Sequence, residues 1–333
     1  MRDNKQFKLD ELLITKNSAA NILPVCDHYA GTERTIKKAL LLQSKLWPNL
    51  DVTLDFEDGS SSGDELYQRD LISDALNSQD NAYSRIGVRI HSAQTSHWKL
   101  DIDAIIKKHG RLPTYINIPK VQSLLEVQQV SSYIKNRLSI CCRELSLPIH
   151  IMVEDALALS RVDVLMNCGL VECASFGLLD FVSSFGGAIP VNAMQSPLQF
   201  EHPLVRDAKI KLSLACHAAG VIPSHSITTD IHNSASAFQD ARRAREEFGY
   251  LRMWSIHPSQ IEQIINAFQY DERELEEAIE ILEKALKVNF APILFNKIMH
   301  DKASYRFFWI KLRRAILNGW NFHKSVNELF QKI

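Results

Sequence analysis

The fold is decided by a short stretch, Ile149-His150-Ile151-Met152-Val153-Glu154-Asp155. Its first five residues are mostly apolar and β-branched, which is typical of a buried strand that ends at Glu154. A second apolar run, Cys173–Phe176, follows a helical segment and leads to Asp180. Because the carboxyl ends of parallel strands share one rim, we expect the Glu154 and Asp180 carboxylates to meet at a common site.

Outward from this stretch, strand-like and helix-like segments alternate along the chain. Eight segments have the length and apolar content of buried strands: Asn21–Cys26, Asp51–Phe56, Ile86–Ile90, Thr114–Ile118, Ile149–Val153, Cys173–Phe176, Gly220–Pro223 and Tyr250–Ile256. Most intervening segments are long enough for a helix, and the first helix has Thr32 as a suitable N-cap. Eight such units predict an α/β fold, the (β/α)₈ TIM barrel of about 250 residues. An open doubly wound sheet is the alternative, disfavoured because no GxGxxG follows the first strand.

Beyond the eighth strand the pattern becomes purely helical. Asp271–Leu286 reads as a charged amphipathic helix, Phe295–Asp301 as a linker, and the segment around Phe307 and Trp309 as a second helix rich in large apolar groups. We therefore expect a TIM-barrel catalytic domain at residues 1–268 and a C-terminal helical lid or oligomerisation extension at residues 269–333. The extension would cap the barrel or pack on a neighbour.

Composition restricts the classes of function. A net charge of −1 over 333 residues argues against a nucleic-acid or anionic-membrane surface built on bulk charge. The six cysteines show no framework spacing, so reduced thiols are expected. The N-terminus is polar and no apolar run approaches ~18 residues, which argues against a signal peptide or membrane span. We expect a soluble, cytoplasmic protein.

Polar residues follow most of the strand candidates. They are Asp55, Glu57, Asp58, Arg89, Lys120, Glu154, Asp180 and His257. Carboxylates bind a hard divalent cation such as Mg²⁺, whereas arginine and lysine bind carboxylate, thioester or phosphate oxygens. Taken singly, each residue can be a solvated loop charge. Taken together, they predict a metal-assisted reaction on an anionic substrate.

Six motifs, in order along the chain, resemble those of the citrate lyase beta subunit and malyl-CoA lyase group of carbon–carbon lyases. Leu54-Asp55-Phe56-Glu57-Asp58-Gly59 is similar to that group's D-L-E-D motif, and Phe176-Gly177-Leu178-Leu179-Asp180 to its F-G-x-x-D motif. The other four are Val88–Ile90, Ile118–Val121, Val153–Asp155 and Trp254–Ile261. The resemblance implies a TIM barrel and a homotrimer or homohexamer.

The resemblance also implies residue roles. Glu154 and Asp180 would bind Mg²⁺, and Arg89 would contact the substrate carbonyl and stabilise an enolate. Glu57, with Asp58, would orient metal-bound water or Arg89. Met299-His300-Asp301 resembles a motif that places a catalytic aspartate over the site of an adjacent subunit, so Asp301 is the candidate general acid/base; a solvated linker residue is the alternative.

Substrate binding is expected from Arg89, Lys120 and Asp58, and from backbone N–H groups near Asp180, where Ser183, Ser184, Gly186 and Gly187 allow close approach. The implied reaction cleaves or forms a 3-hydroxy acyl-CoA of the citryl-CoA or malyl-CoA type through an oxo acid and an enolate.

Departures from the group's pattern leave the substrate open. The first-strand segment Ile22–Gly31 lacks the L-F-V-P-[GA]-like sequence of relatives that bind CoA, and His91, Asp155 and Ser224-His225 replace the usual residues. A lyase or aldolase acting on a free hydroxy or oxo acid is therefore one alternative, and a non-catalytic scaffold is another. His28, His91 and His225 are core or surface residues in one interpretation and proton-transfer groups in the other.

Overall fold

The computed structural model describes residues 8–14, 22–59 and 63–320. The chain divides into two compact units. One is Leu23–Phe268; the other combines Met1–Ile22 with Gln269–Ile333.

The larger unit is built on eight parallel strands that close into a barrel in chain order. They are β1 Cys26–Ala30, β2 Leu50–Asp55, β3 Ile86–Arg89, β4 Ile116–Ile118, β5 Ile149–Val153, β6 Val171–Phe176, β7 Ile222–His225 and β8 Arg252–Ser255. The barrel closes where Cys26, Asp27 and His28 pair with Met253, Trp254 and Ser255. The prediction of a (β/α)₈ barrel is confirmed.

Helices occupy most of the connections between strands. In chain order they are α1 Lys8–Leu13, α2 Glu33–Leu46, α3 Glu65–Asn77, α4 His97–Ile105, α5 Leu124–Ile140, α6 Ala156–Ser160, α7 Val162–Met166, α8 Leu178–Ser183, α9 Leu198–Glu201, α10 Pro203–Ala219, α11 Ser234–Phe248, α12 Pro258–Phe268, α13 Glu272–Lys287 and α14 Lys302–Leu317, with a 3₁₀ turn at Val191–Met194. Thr32 caps α2 as predicted, in a capping box with Thr35.

The first strand lies later in the chain than predicted. The expected strand Asn21–Cys26 begins outside the described residues, and β1 is Cys26–Ala30. The polar Asp27, which suggests a loop in the sequence, instead lies inside the barrel. There it accepts hydrogen bonds from Thr53 Oγ1 and Tyr115 OH at 2.7 and 3.1 Å. Polar partners that are distant in sequence thus allow this segment to form a strand.

A buried ionic network crosses the barrel interior. Arg252 Nη2 lies 3.2 Å from Asp51 Oδ2 and 3.5 Å from Asp27 Oδ2, and all three side chains are buried. Arg85 adds two hydrogen bonds to Asp51 Oδ1, at 3.0 and 2.6 Å. Burial raises the pKa of Asp27, and the Arg252 charge opposes that rise. The guanidinium therefore compensates two carboxylates that would otherwise be buried without enough positive charge.

The smaller unit contains α1, α13, α14 and a two-stranded hairpin of β9 Ile293–Phe295 and β10 Ile298–His300. The prediction of a linker at Phe295–Asp301 is thus partly wrong, because most of this segment belongs to the hairpin. Asn296 and Lys297 both have positive φ, 47° and 67°, which is the backbone of a tight hairpin turn. Residue types that tolerate this conformation can close a hairpin without glycine.

The N-terminal helix groups with the C-terminal residues, whereas the sequence interpretation placed it in the barrel domain. Trp309 Nε1 donates to Asp10 Oδ1 at 2.8 Å, and Arg306 Nε donates to the Leu13 carbonyl at 2.9 Å. These bonds join residues almost three hundred positions apart, which no local pattern reveals.

All six cysteines are free. Among the described residues, no helix has the length and apolar character needed to cross a membrane.

We expect Arg252→Met to lower the free energy of unfolding by about 3–5 kcal/mol, because it leaves the buried Asp27 without a cationic partner and Asp51 with Arg85 alone. Urea unfolding followed by circular dichroism measures the change. Arg242→Met, at a half-exposed position on α11, is the control and should have little effect. A loss at Arg252 no larger than that of the control would contradict a stabilising role for the network.

Candidate active site

A cavity of about 320 Å³ opens at the carboxyl ends of the barrel strands. The charged residues in its lining are Asp55, Asp58, Arg89, Glu154 and Asp180. They follow or end β2, β3, β5 and β6, so the barrel brings together side chains that are up to 125 positions apart in sequence. This is the common rim at which Glu154 and Asp180 were expected.

Arg89 is held by Asp55 in a two-pronged ion pair. Nε donates to Oδ1 at 2.7 Å and Nη2 donates to Oδ2 at 2.6 Å. The backbone N–H groups of Glu57 and Gly59 also donate to Asp55. Burial alone would raise the pKa of Asp55, but the Arg89 charge and hydrogen bonds hold it below its ordinary value. Asp55 is therefore ionised, and the guanidinium plane has one fixed orientation.

Gly59 is required by this arrangement. A Cβ at position 59 would lie 2.3 Å from Asp55 Oδ2, well inside contact distance. The absence of a side chain lets the loop after β2 fold over the carboxylate and donate its N–H.

Glu57 bridges the two cationic side chains of the site. Its Oε2 lies 3.2 Å from Arg89 Nη1, and its Oε1 lies 2.8 Å from Lys120 Nζ. Lys120 Nζ is also 3.4 Å from Asp58 Oδ2. Although burial lowers the pKa of Lys120, its hydrogen bond and charge pairing with Glu57 raise it above the ordinary value. The ammonium therefore stays charged.

Glu154 is a strongly perturbed carboxyl group of the rim. It is 4 % exposed, and burial together with the charges of Asp180 and Glu57 raises its pKa to about 8. Its Oε1 accepts the backbone N–H of Lys120, whose φ is +53°. Its Oε2 packs on Gly177, where a Cβ would lie 2.4 Å away. The carboxylate is thus fixed close to other negative charges.

Asp180 lies in the first turn of α8 and is half-buried. Burial raises its pKa, as does the charge of Asp58, whereas Lys120 and Arg89 oppose the rise. Crowded carboxylates with raised pKa values bind either protons or a cation.

The donor set fits a divalent cation. Five carboxylates (Asp55, Glu57, Asp58, Glu154 and Asp180) surround two cationic groups (Arg89 and Lys120). In the described part of the chain, no group of three or more His, Cys, Asp or Glu side chains is arranged to hold a metal by itself. A pair of carboxylates is what Mg²⁺ commonly takes from a protein, with water and substrate oxygens completing the shell.

The family model described as HpcH/HpaI aldolase/citrate lyase matches residues 40–258, more than half of the chain. The chain belongs to this aldolase/citrate lyase family. The resemblance identified from the six motifs is confirmed, and the family places the chain among the carbon–carbon lyases.

The chain is similar to individual proteins over most of its length. The L-malyl-CoA/beta-methylmalyl-CoA lyase of Rhodobacter capsulatus is 24% identical over 276 residues, spanning 79% of this chain and 86% of the relative. A crystal structure of a citrate lyase from Burkholderia xenovorans LB400 is 42% identical with a TM-score of 0.85, covering 93% of this chain and 97% of that one. CitE from Mycobacterium tuberculosis, solved with magnesium, acetoacetate and coenzyme A, is 20% identical with a TM-score of 0.68, covering 88% and 98%.

Some of the expected site residues are not part of the cavity lining, among them Gly186, Gly187 and Asp301. Gly186 and Gly187 are exposed, have positive φ and are absent from the cavity lining. The turn that follows α8 explains this, because Gly186 N–H donates to the Ser183 carbonyl. Asp301 belongs to the smaller unit, where it caps α14 and accepts the N–H groups of Ala303 and Ser304.

Two of the three histidines with open roles are core residues. His28 is buried with its Nδ1 2.8 Å from Ser255 Oγ, and burial lowers its pKa to about 4. His225 is fully buried, stacks on Phe200 and has a pKa lowered by burial. His91 differs, because its hydrogen bond to the buried Asp101 raises its pKa.

The sequence interpretation missed the apolar part of the site. Tyr29, Met152, Ile227 and Trp254 all line the cavity. Tyr29, Met152 and Trp254 lie inside strands. Their positions in the strand alternation, which point the side chains into the barrel, are the sequence signal that could have identified them. Asp55 was noticed as a strand end, but its pairing with Arg89 was not.

We expect acid to destabilise the protein through His28. Its folded-state pKa of about 4 is below the ordinary value of 6.5, so the stability it contributes is complete above pH 6.5 and is lost as pH falls towards 4. The full loss is about 3 kcal/mol. Urea unfolding at pH 4 to 7 measures it, and His28→Gln should flatten the slope. His217→Gln, at an exposed position on α10, is the control; equal slopes in both variants would contradict this assignment.

Proposed function

We propose that the protein is a Mg²⁺-dependent carbon–carbon lyase that cleaves or forms a 3-hydroxy acyl-CoA, of the citryl-CoA or malyl-CoA type, through an oxo acid and an enolate. The observation that carries this proposal is the position of Arg89 in the same cavity as the crowded pair Glu154 and Asp180. Family membership supports it, as do the relatives named for malyl-CoA lyase and citrate lyase.

Glu154 and Asp180 are the proposed metal ligands. When bound, Mg²⁺ would act as a Lewis acid towards the keto and carboxylate oxygens of the oxo acid. The rigid packing of Glu154 on Gly177 keeps one ligand in place before the metal arrives. Glu57 and Asp58 add negative charge at the same rim and pair with Lys120.

Arg89 is the proposed enolate-stabilising group. Its charge persists because the nearby Asp55 and Glu57 raise its pKa more than burial lowers it. Asp55 takes Nε–H and one N–H of Nη2, while Nη1 contacts Glu57 Oε2 and Met152 Sδ, so the second N–H of Nη2 is the donor that remains for substrate. Preorganised positive charge at the developing enolate oxygen lowers the barrier to bond cleavage.

Asp301 is the proposed general acid/base, contributed by an adjacent subunit of a homotrimer or homohexamer. Among the described residues of the smaller unit, five large apolar side chains are more than half exposed: Leu12, Leu294, Ile298, Met299 and Phe307. Leu294 and Met299 are directly paired across the hairpin that precedes Asp301. Such an exposed apolar face is typical of a surface that packs on another protein chain.

The metal site is tested by isothermal titration of the metal-free protein with Mg²⁺, then with glyoxylate and acetyl-CoA. We expect Mg²⁺-dependent binding of both ligands. Glu154→Gln should abolish this binding, and Gly177→Ala should weaken Mg²⁺ affinity at least about tenfold, because the added Cβ would displace Glu154. Glu201→Gln, on α9, is the control and should bind as wild type.

Two outcomes would change the proposal. Oxo-acid binding without acetyl-CoA binding would favour the lyase on a free acid, which the departures in the first-strand segment also favour. Absence of any Mg²⁺-dependent binding would contradict both enzyme functions and favour a scaffold.

The role of Asp301 is tested by mixing two inactive variants, Asp301→Asn and Glu154→Gln. Asparagine is also a good N-cap, so Asp301→Asn should leave α14 intact. If the aspartate acts on a neighbouring subunit, random mixing should restore about a quarter of wild-type condensation of acetyl-CoA with glyoxylate, since some sites then combine two intact parts. No recovery after mixing, with each variant folded, would contradict a shared site.

A further inference from the structure

The cavity has an apolar floor made of Tyr29, Met152, Ile227 and Trp254. These four side chains form one buried cluster, and each of them lines the cavity. They come from β1, β5, the segment after β7, and β8, so the floor extends across the barrel interior.

The floor lies directly against the group proposed to face the reacting oxygen. Arg89 Nη1 is 3.6 Å from Met152 Sδ, and Arg89 Cζ lies 5.2 Å from the centre of the Tyr29 ring. Whatever part of the substrate extends past Arg89 into the barrel therefore contacts these apolar side chains.

The floor is rigid. Asn117 Nδ2 donates to the Tyr29 hydroxyl at 2.6 Å, and the Tyr29 and Trp254 ring centres are 4.9 Å apart. The exposed fractions of the four side chains are 7 % or less. A preformed apolar surface selects ligands by shape and hydrophobic area.

The described cavity lining offers no uncommitted cation for a second anionic group on the substrate. Among the described residues that line the cavity, Arg89 is the only arginine or lysine, and Asp55 and Glu57 already pair with it. A second substrate carboxylate placed on the floor would lose its water without gaining an ion-pair partner, which is costly.

We propose that the oxo acid used by this protein is a monocarboxylate with an apolar alkyl or aryl substituent seated on the floor of Tyr29, Met152, Ile227 and Trp254. This proposal rests on the proposed function, because a Mg²⁺ bound by Glu154 and Asp180 would have to hold the 2-oxo and carboxylate oxygens for the substituent to reach the floor. Within the proposed function it disfavours the citryl-CoA type, whose oxo acid is the dicarboxylate oxaloacetate, and favours 3-hydroxy acyl-CoA substrates that release a monocarboxylic oxo acid.

The test is calorimetric titration of the full chain at saturating Mg²⁺ with pyruvate, 2-oxobutanoate, 4-methyl-2-oxopentanoate and oxaloacetate. Affinity should rise about fourfold for each added methylene, the factor that corresponds to ~0.8 kcal/mol per buried CH₂. Oxaloacetate should bind at least about tenfold more weakly than 2-oxobutanoate.

Ile227→Thr examines the floor itself. It should reduce the ratio of 4-methyl-2-oxopentanoate affinity to pyruvate affinity, because the hydroxyl lowers the hydrophobic gain. The ratio is measured within one preparation, so a partly unfolded sample changes the number of sites and not the ratio. Val191→Thr, at a position 76 % exposed and outside the cavity lining, should keep the wild-type ratio.

Two results would overturn the proposal. In the first, pyruvate binds with Mg²⁺ but larger substituents bring no gain in affinity, or oxaloacetate binds as tightly as 2-oxobutanoate or more tightly. This result would overturn the present inference and leave the proposed function standing. Failure of every oxo acid to bind with Mg²⁺ would overturn the proposed function, and this inference with it.

Discussion

The ion pair between Asp55 and Arg89 is the interaction on which the site depends. The two residues are register partners at the ends of β2 and β3, so the barrel itself places carboxylate and guanidinium side by side. Their pairing keeps Asp55 ionised and orients Arg89 towards Met152 and the cavity. Gly59 permits the loop to close over the pair. Strand register, loop geometry and electrostatics therefore support a single arrangement.

Three layers of different chemistry are stacked along the barrel. A buried network of Asp27, Asp51 and Arg252 holds the strands together at depth. The apolar cluster of Tyr29, Met152, Ile227 and Trp254 forms the cavity floor. The carboxylates of the rim lie around the cavity. Because the apolar layer excludes water from the lower side of the cavity, charges at the rim interact more strongly than they would in solvent.

The raised pKa of Glu154 shows that crowding buried carboxylates at the rim is energetically unfavourable. Burial and the neighbouring carboxylates disfavour its charged form, so the folded protein stores an unfavourable interaction that a cation relieves. Sites that bind charged ligands commonly contain such perturbed groups. The fold tolerates it because the barrel gains its stability elsewhere, from the apolar core between strands and helices.

Sequence alone determined the barrel, the order of its strands and the rim carboxylates, because apolar runs of strand length ending in acidic residues recur along the chain and parallel strands share one rim. It also determined the family, through six short motifs. Only the tertiary structure decided that Tyr29 and Trp254 form a floor, that Asp27 lies inside the barrel, that His28 and His225 belong to the core, and that Gly186 and Gly187 lie away from the cavity. Each of these depends on contacts between residues far apart in the chain. The periodicity of a sequence shows which side chains are buried, but not which distant residues they contact.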